Sequence, residues 1–127
     1  MAKQIVTTPD APTSPLYSQA VRAGQFLFVS GTVGVDPATG QLAGPTIQAQ
    51  THQALRNAHA IVEAGGATLA DIVQVNVLLA HPADFAGMNE AYAEVFVTEP
   101  PARAVAKLGV ELPGVLVSIA LTAYLDE

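Results

Sequence analysis

One arginine is placed to do chemistry. Arg103 sits in the stretch Glu99-Pro100-Pro101-Ala102-Arg103-Ala104-Val105-Ala106-Lys107-Leu108. The two prolines fix φ and withhold their N–H groups, so the backbone arrives extended and cannot be helical there. Arg103 then opens a strand whose following residues, 104–110, are small and apolar apart from Lys107. The chain holds only five lysines and arginines. A guanidinium at the mouth of an apolar strand needs an acceptor, and its planar fork matches a carboxylate in bidentate fashion. That acceptor is either a bound ligand or one of the protein's own acidic residues; spacing alone leaves both open.

Other stretches hold weaker signals. Ser30-Gly31-Thr32-Val33-Gly34 follows the apolar run Phe26-Leu27-Phe28-Val29. Two glycines so close behind a strand mean a backbone that turns sharply or lets something approach closely, and a bulge without a ligand fits as well. Asn89 lies at the edge of a helical apolar stripe, where an amide commonly serves a loop or backbone. His52 and His59, seven residues apart on the polar face of a helix, read as solvated, since no third ligand shares that face. There is no cysteine, which removes disulfides, thiolate catalysis and Cys-ligated metals. No dinucleotide fingerprint, phosphate loop, zincin helix or nucleophile elbow occurs.

The elements that must position these groups follow from punctuation and periodicity. Residues 3–7 read as a short strand, ended by a proline-rich run. Residues 16–21 alternate apolar and polar and read as a strand that turns at Ala23-Gly24 into the strand 26–29. Asp36-Pro37-Ala38-Thr39-Gly40 is a turn by its residue types. Pro45-Thr46 introduces a long helix to about residue 64, stopped by Gly65-Gly66, with Ile47, Thr51, Ala54, Leu55, Ala58, Ile61 and Val62 on one face. Residues 72–79 are nearly continuous apolar sequence, as in a central strand. A second helix starts near Pro82 and runs to about residue 96, with Phe85, Met88, Tyr92, Val95 and Phe96 as its core stripe. In the last strand, residues 115–124, Ser118 points to the face opposite Ile119. The pattern is an α+β layer: one mixed sheet, two helices on one face, and the other face left apolar for a partner.

Composition supports that last point. The 127 residues suit one domain, yet only 13% are charged while 50% are hydrophobic, against a usual charged share of roughly 25%. So small a domain cannot bury all of that surface, and other copies of the chain are expected to cover some of it. The formal net charge is −6, with eleven acidic and five basic residues and no basic cluster, which disfavours nucleic acid as a partner. No apolar run reaches membrane-spanning length and no signal-peptide core follows the first residues; a cytoplasmic location is expected.

Four stretches together resemble the RidA family (reactive intermediate deaminase A, YjgF-like): Ser14-Pro15-Leu16-Tyr17-Ser18-Gln19-Ala20, Phe28-Val29-Ser30-Gly31, Phe85-Ala86-Gly87-Met88-Asn89-Glu90-Ala91-Tyr92, and Pro101-Ala102-Arg103 followed by Leu112-Pro113-Gly114. The resemblance spans essentially the whole chain. It implies the chorismate-mutase-like α+β fold in a single domain over residues 1–127. It also implies a homotrimer with a barrel-like interior and ligand clefts between subunits. The implied activity is cofactor-independent hydrolysis of reactive enamines and imines, of the 2-aminoacrylate and 2-iminopropionate type. By the same resemblance Arg103 matches the arginine that clamps the substrate carboxylate, Tyr17 the tyrosine lining the cleft, Asn89 the helix asparagine near it, and Ser30-Gly31 the loop that approaches the ligand.

The sequence departs from the family pattern at three positions. Val105 stands where cysteine is frequent, a mild change because that position acts mainly through its backbone N–H. Thr32 stands where glutamine often follows Ser-Gly. Ser118 falls where the last strand's first glutamate is expected, with Ala120 at the second acidic position. That glutamate is thought to orient the attacking water, and a serine is no useful base near neutral pH; a lost base costs about 10²–10⁴ in rate. Glu111, the nearest acidic residue, sits in a turn and is expected to be solvated. The expected catalytic set is therefore Arg103, Tyr17 and Ser118, with Ser30, Gly31, Thr32, Asn89 and Val105 completing the binding site and no metal. A different reaction on a carboxylate-bearing intermediate, or metabolite binding without catalysis, are the alternatives.

Overall fold

The computed structural model describes residues 2–126. Its largest sheet runs in the order β1 (Gln4–Val6), β2 (Ala20–Ala23), β3 (Phe26–Val33), β8 (Val117–Tyr124), β6 (Ile72–Leu79), β7 (Ala102–Lys107). Neighbours are antiparallel except β6 and β7, which run parallel. A two-stranded ribbon, β4 (Val35–Asp36) with β5 (Gln41–Leu42), flanks it.

Helices α1 (Ile47–Ala64) and α2 (Phe85–Val95) pack on the sheet. The α1 stripe read from the sequence is buried without exception, from Ile47 to Val62. Thr46 caps its start, its hydroxyl accepting from the Ala49 N–H at 3.2 Å. Beneath the helices lie Leu27, Val75, Val77, Val117, Ile119 and Ala123, all essentially solvent-free. The alternate residues of β8, Ser118, Ala120 and Thr122, are only half-buried on the opposite face. On that face Phe26, Phe28 and Tyr124 pack on one another yet stay partly exposed, so the sheet has one dry side and one apolar side left open. No helix is long and apolar enough to cross a membrane.

The structure corrects several expectations. Residues 16–19 are not strand; β2 starts at Ala20. The buried Gln19 side chain instead anchors this loop to the preceding proline-rich run. It accepts from the Thr8 N–H at 2.7 Å and donates to the carbonyls of Thr8, Ala11 and Pro12 at 3.1, 3.0 and 2.8 Å. The strand carrying Arg103 runs from Ala102 to Lys107, β1 is shorter than 3–7, and the expected turn at 36–40 is flanked by the β4–β5 ribbon. Pro82 begins a 3-10 turn, Pro82–Asp84, and α2 proper starts at Phe85. Phe85 is 46% exposed instead of core. His52 and His59 are not simply solvated: they lie 3.4 Å from Glu94 on α2 and 3.2 Å from Glu63.

Candidate functional site

Arg103 stands on β7, the edge strand, in register with Val75 of β6. Val75 is fully buried beneath the helices, and residues in register share a face, so the arginine leaves the sheet on the helix side. There α2 receives it. Its Nη1 donates to Asn89 Oδ1 at 2.7 Å and lies 4.0 Å from Met88 Sδ. Its Cζ is 4.7 Å from the Tyr92 ring centroid and 5.8 Å from that of Phe85, within cation–π range. Phe85, Met88, Asn89 and Tyr92 are three or four residues apart, which is why one helix face offers all four groups.

The electrostatics of this seat are one-sided. The guanidinium's hydrogen-bond partner is an amide, which takes one N–H and no charge. Among the described residues no carboxylate pairs with Arg103, and the side chain remains exposed. The Tyr92 hydroxyl beneath is buried with no hydrogen-bond partner. Burial pushes its pKa above the usual 10.0, opposed by the nearby Arg103 charge. Val105 follows two residues on, in register with buried Val77 and so on the same face as Arg103.

A second group of site residues forms at β3. The pairing of β3 with β8 slips between Val29 and Thr32, so Ser30 and Gly31 occupy a bulge. Ser30 is tied from both ends: its N–H donates to Gln19 O at 3.0 Å and its hydroxyl to Ser18 O at 2.5 Å. The Thr32 hydroxyl turns back to Ser30 O at 2.8 Å. Tyr17, 56% exposed, borders a narrow cleft with Gln19, Ser30, Gly31 and Thr32. Ser118 belongs to this group. A Cβ on Gly31 would stand 3.0 Å from Ser118 Oγ, so the absence of a side chain at residue 31 lets backbone and hydroxyl meet.

Two amides of α1 fix this second group. Asn57 donates to Val33 O and Val35 O at 3.0 and 2.7 Å, gripping the chain just past the bulge, and is itself held by Gln53 at 2.9 Å. Gln50 donates to Gly44 O and Gly114 O, both at 2.9 Å, and accepts from the Leu116 N–H at 2.8 Å, fixing the entry to β8. All three amides are buried. Nothing in the sequence reading singled them out; the signal available was their position beside the apolar stripe. Tyr92, Phe85 and Met88 were read as core and not as the seat of Arg103.

The structure therefore brings together Arg103, Asn89 and Val105, and separately Tyr17, Ser30, Gly31 and Thr32; Ser118 meets this second group only at Gly31, since Thr32 registers with buried Ile119 and Ser118 lies on the opposite face of β8. It does not unite the two groups. Strands β8 and β6 lie between β3 and β7, a separation of about 14 Å at the usual strand spacing. Arg103 is on the helix side, whereas Ser118, alternate to buried Val117 and Ile119, is on the open side.

Residues 8–125 match the family described as Endoribonuclease L-PSP. A RutC family protein of Pyrococcus horikoshii is 43% identical over 96% of this chain and 98% of its own length. A protein of Dermatophagoides farinae named 2-iminobutanoate/2-iminopropanoate deaminase is 37% identical over 87% of each chain. The crystal structure of Escherichia coli TdcF with bound serine superposes with a TM-score of 0.88 at 31% identity, covering 97% of this chain and 99% of that one.

Proposed function

Because the chain belongs to the Endoribonuclease L-PSP family, which includes the YjgF and RidA proteins, we propose that it hydrolyses reactive 2-imino acids and their enamine tautomers to keto acids and ammonia. The observation that carries this reading is the seat of Arg103: a guanidinium held by an amide and two aromatic rings, its charge unmatched by any carboxylate among the described residues. Such a fork suits the carboxylate of a small substrate. A relative named for imine deamination and a serine-bound structural neighbour, serine being an α-carboxylate ligand, support the same class.

In the proposed reaction the enamine first takes a proton at its terminal carbon to become the imine. Water adds to the imine carbon, one of its protons passing to nitrogen, and the C–N bond of the resulting carbinolamine breaks to release ammonia and leave the ketone. No electrons leave the substrate, so no redox partner is needed. Arg103 fixes the carboxylate and hence the carbon under attack. Tyr17, Ser118 and the Ser30-Gly31 backbone hold the water and the departing amine by hydrogen bonds. Without a carboxylate at residue 118, positioning is asked to do most of the work. That absence also favours a second reading, binding of a carboxylate metabolite without rapid hydrolysis.

The separation of the two residue groups calls for a neighbouring subunit. In a homotrimer, β7 with Arg103 of one subunit would face the Tyr17, Ser30 and Ser118 group of the next. The open apolar sheet face, with Phe26, Phe28 and Tyr124, fits burial against such copies. The endoribonuclease in the family's description suits this chain poorly, since a net charge of −6 repels a polyanion.

The test is to generate 2-aminoacrylate in situ with a serine-consuming enzyme and follow pyruvate. Acceleration over buffer is expected, with most of it lost in Arg103→Ala. If native protein gives no acceleration but binds pyruvate, the binding reading replaces the catalytic one.

A further inference from the structure

Gln50, Gln53 and Asn57 follow one another along α1 at the i, i+3, i+7 spacing of a single helix face, and all three are buried. A buried polar line is costly unless each group is bonded, and here the bonds lead to the two strands that meet at Gly31. Asn57 donates to the carbonyls of Val33 and Val35 at 3.0 and 2.7 Å, just past Gly31 on β3. Gln50, two turns back and about 10.5 Å along the helix axis, accepts from the Leu116 N–H at 2.8 Å, just ahead of Ser118 on β8. Val33 and Ser118 are themselves partners in the β3–β8 pairing. Between the two points that Asn57 holds, the chain lies directly on α1, since a Cβ at Gly34 would run into the Gln50 carbonyl oxygen. One helix therefore grips both strands on either side of the place where Gly31 faces the Ser118 hydroxyl. Gln53 fixes the direction of the grip. It donates to Asn57 Oδ1 at 2.9 Å and accepts from Arg56 Nη1 at 2.8 Å. An Asn57 amide turned over would set its oxygen against two carbonyl oxygens and its NH2 against that of Gln53.

We propose that Asn57, with Gln53 and Gln50, is a positioning residue of the deaminase reaction: without touching substrate, this line of amides sets how the Gly31 backbone stands against Ser118, and so where the attacking water is held. The inference rests on the deaminase reading and deepens it. Strand pairing cannot do this alone, because the register slips between Val29 and Thr32 and a bulge leaves its residues outside the regular ladder. Bonds from a neighbouring element must then fix the bulge, and a misplacement of about 1 Å from a change remote from the chemistry costs up to about 10²-fold in rate. None of the three amides is a partner of Arg103, whose seat lies on α2. Carboxylate binding and turnover should accordingly respond differently when the line is broken.

The experiment compares the full-length native protein with Asn57→Asp and Gln53→Glu. Asn57→Asp keeps the shape and the bond from Gln53, but presents an oxygen in place of the NH2 to the carbonyls of Val33 and Val35. Gln53→Glu withdraws the donor from Asn57 Oδ1, while its carboxylate pairs with Arg56 and so preserves the fold. Calorimetric titration with 2-oxobutanoate gives the Kd and the number of competent sites; pyruvate formation from 2-aminoacrylate generated in situ is then expressed per competent site. The Kd is expected to stay within about twofold of native in both variants, as for independent positions. The rate per competent site is expected to fall about tenfold or more in Asn57→Asp and at least about threefold in Gln53→Glu. A merely structural role would lower the number of competent sites and leave the rate of each unchanged, and that result overturns the proposal. So does a Kd that weakens in step with the rate. If Asn57→Asp does not fold, Gln53→Glu decides by the same criteria. A native protein that gives no acceleration sinks the deaminase reading and this inference with it, a result distinct from variants that match an active native protein.

Discussion

Asn89→Asp tests the Arg103 clamp with little change in shape. In the native protein the amide oxygen accepts from Nη1 at 2.7 Å and leaves the guanidinium's charge free. A carboxylate in its place makes an internal ion pair at the same spot, competing with any bound carboxylate. Two unit charges about 4 Å apart interact by about 1–4 kcal/mol between effective dielectrics of 80 and 20. Arg103 is exposed, which discounts the effect to about 1–2 kcal/mol, or a 5- to 30-fold weaker Kd for a keto acid. The measurement is calorimetric titration with pyruvate or 2-oxobutanoate, paired with thermal unfolding. Stability should hold or rise slightly, because the new pair adds attraction without removing a contact, so weak binding cannot be assigned to a damaged fold. The pH dependence has a fixed sign. An aspartate beside Arg103 titrates below its usual ~3.9, so the affinity gap persists from neutral pH down to about 4 and narrows only below it. A variant that binds keto acids within twofold of native at pH 7 would show that Arg103 does not hold the ligand, whatever the kinetics.

Two further substitutions probe the remaining chemistry. Ser118→Glu places an acidic group beside Gly31, where a Cβ on the glycine would stand 3.0 Å from Ser118 Oγ; a rise of at least about tenfold in imine hydrolysis is expected, a fraction of the ~10²–10⁴ a well-placed base supplies. An unchanged rate with keto-acid binding intact would show that water activation does not pass through this position. Tyr92→Phe keeps the ring under Arg103 and removes a buried hydroxyl without a partner, so at pH 7 stability should be equal or higher by about 1 kcal/mol. Burial raises the folded-state pKa of Tyr92 above 10.0, so the native protein keeps the full benefit below pH 10 and loses it as the pH climbs through the raised value, a loss that the variant lacks. Urea unfolding from pH 8 to 11 measures both; a native-minus-variant difference that does not change above pH 10 contradicts the buried-hydroxyl assignment.

What was legible in the sequence was periodic or punctuated. The α1 stripe from Ile47 to Val62 has a 3.6-residue period that survives any tertiary context, and Thr46 with Gly65-Gly66 marks its ends within a residue or two. The nearly continuous apolar run of β6 likewise marked a central strand under helical cover, with Val75, Val77 and Leu79 buried and Gln74 and Asn76 exposed on the other face. The loop at 16–19 was not legible because its order comes from one side chain. Gln19 binds four backbone groups of the proline-rich run at Thr8, Ala11 and Pro12, and alternation of apolar and polar residues cannot reveal that. The buried amides Gln50, Gln53 and Asn57 escaped for a similar reason: polar residues beside an apolar stripe look solvated until the carbonyls they bind are located.

The candidate site shows the same division between identity and arrangement. Arg103, Asn89, Tyr17, Ser30 and Ser118 are visible as residues, but whether they meet depends on strand order, and β3-β8-β6-β7 departs from the order in which the chain delivers the strands. Strand β8, last in sequence, inserts at the centre, so Ser118 lands beside Gly31 although 87 positions of chain separate them. Strand β7 is left at the edge, where Arg103 has a helix on one side and no strand beyond it. An edge strand exposes unpaired N–H and C=O groups and is normally covered. Covering it with the bulge-bearing region of another copy would satisfy those groups, shelter the open apolar face and bring the arginine to Tyr17, Ser30 and Ser118 in a single contact. The physical need of the edge and the chemical need of the site thus have the same solution.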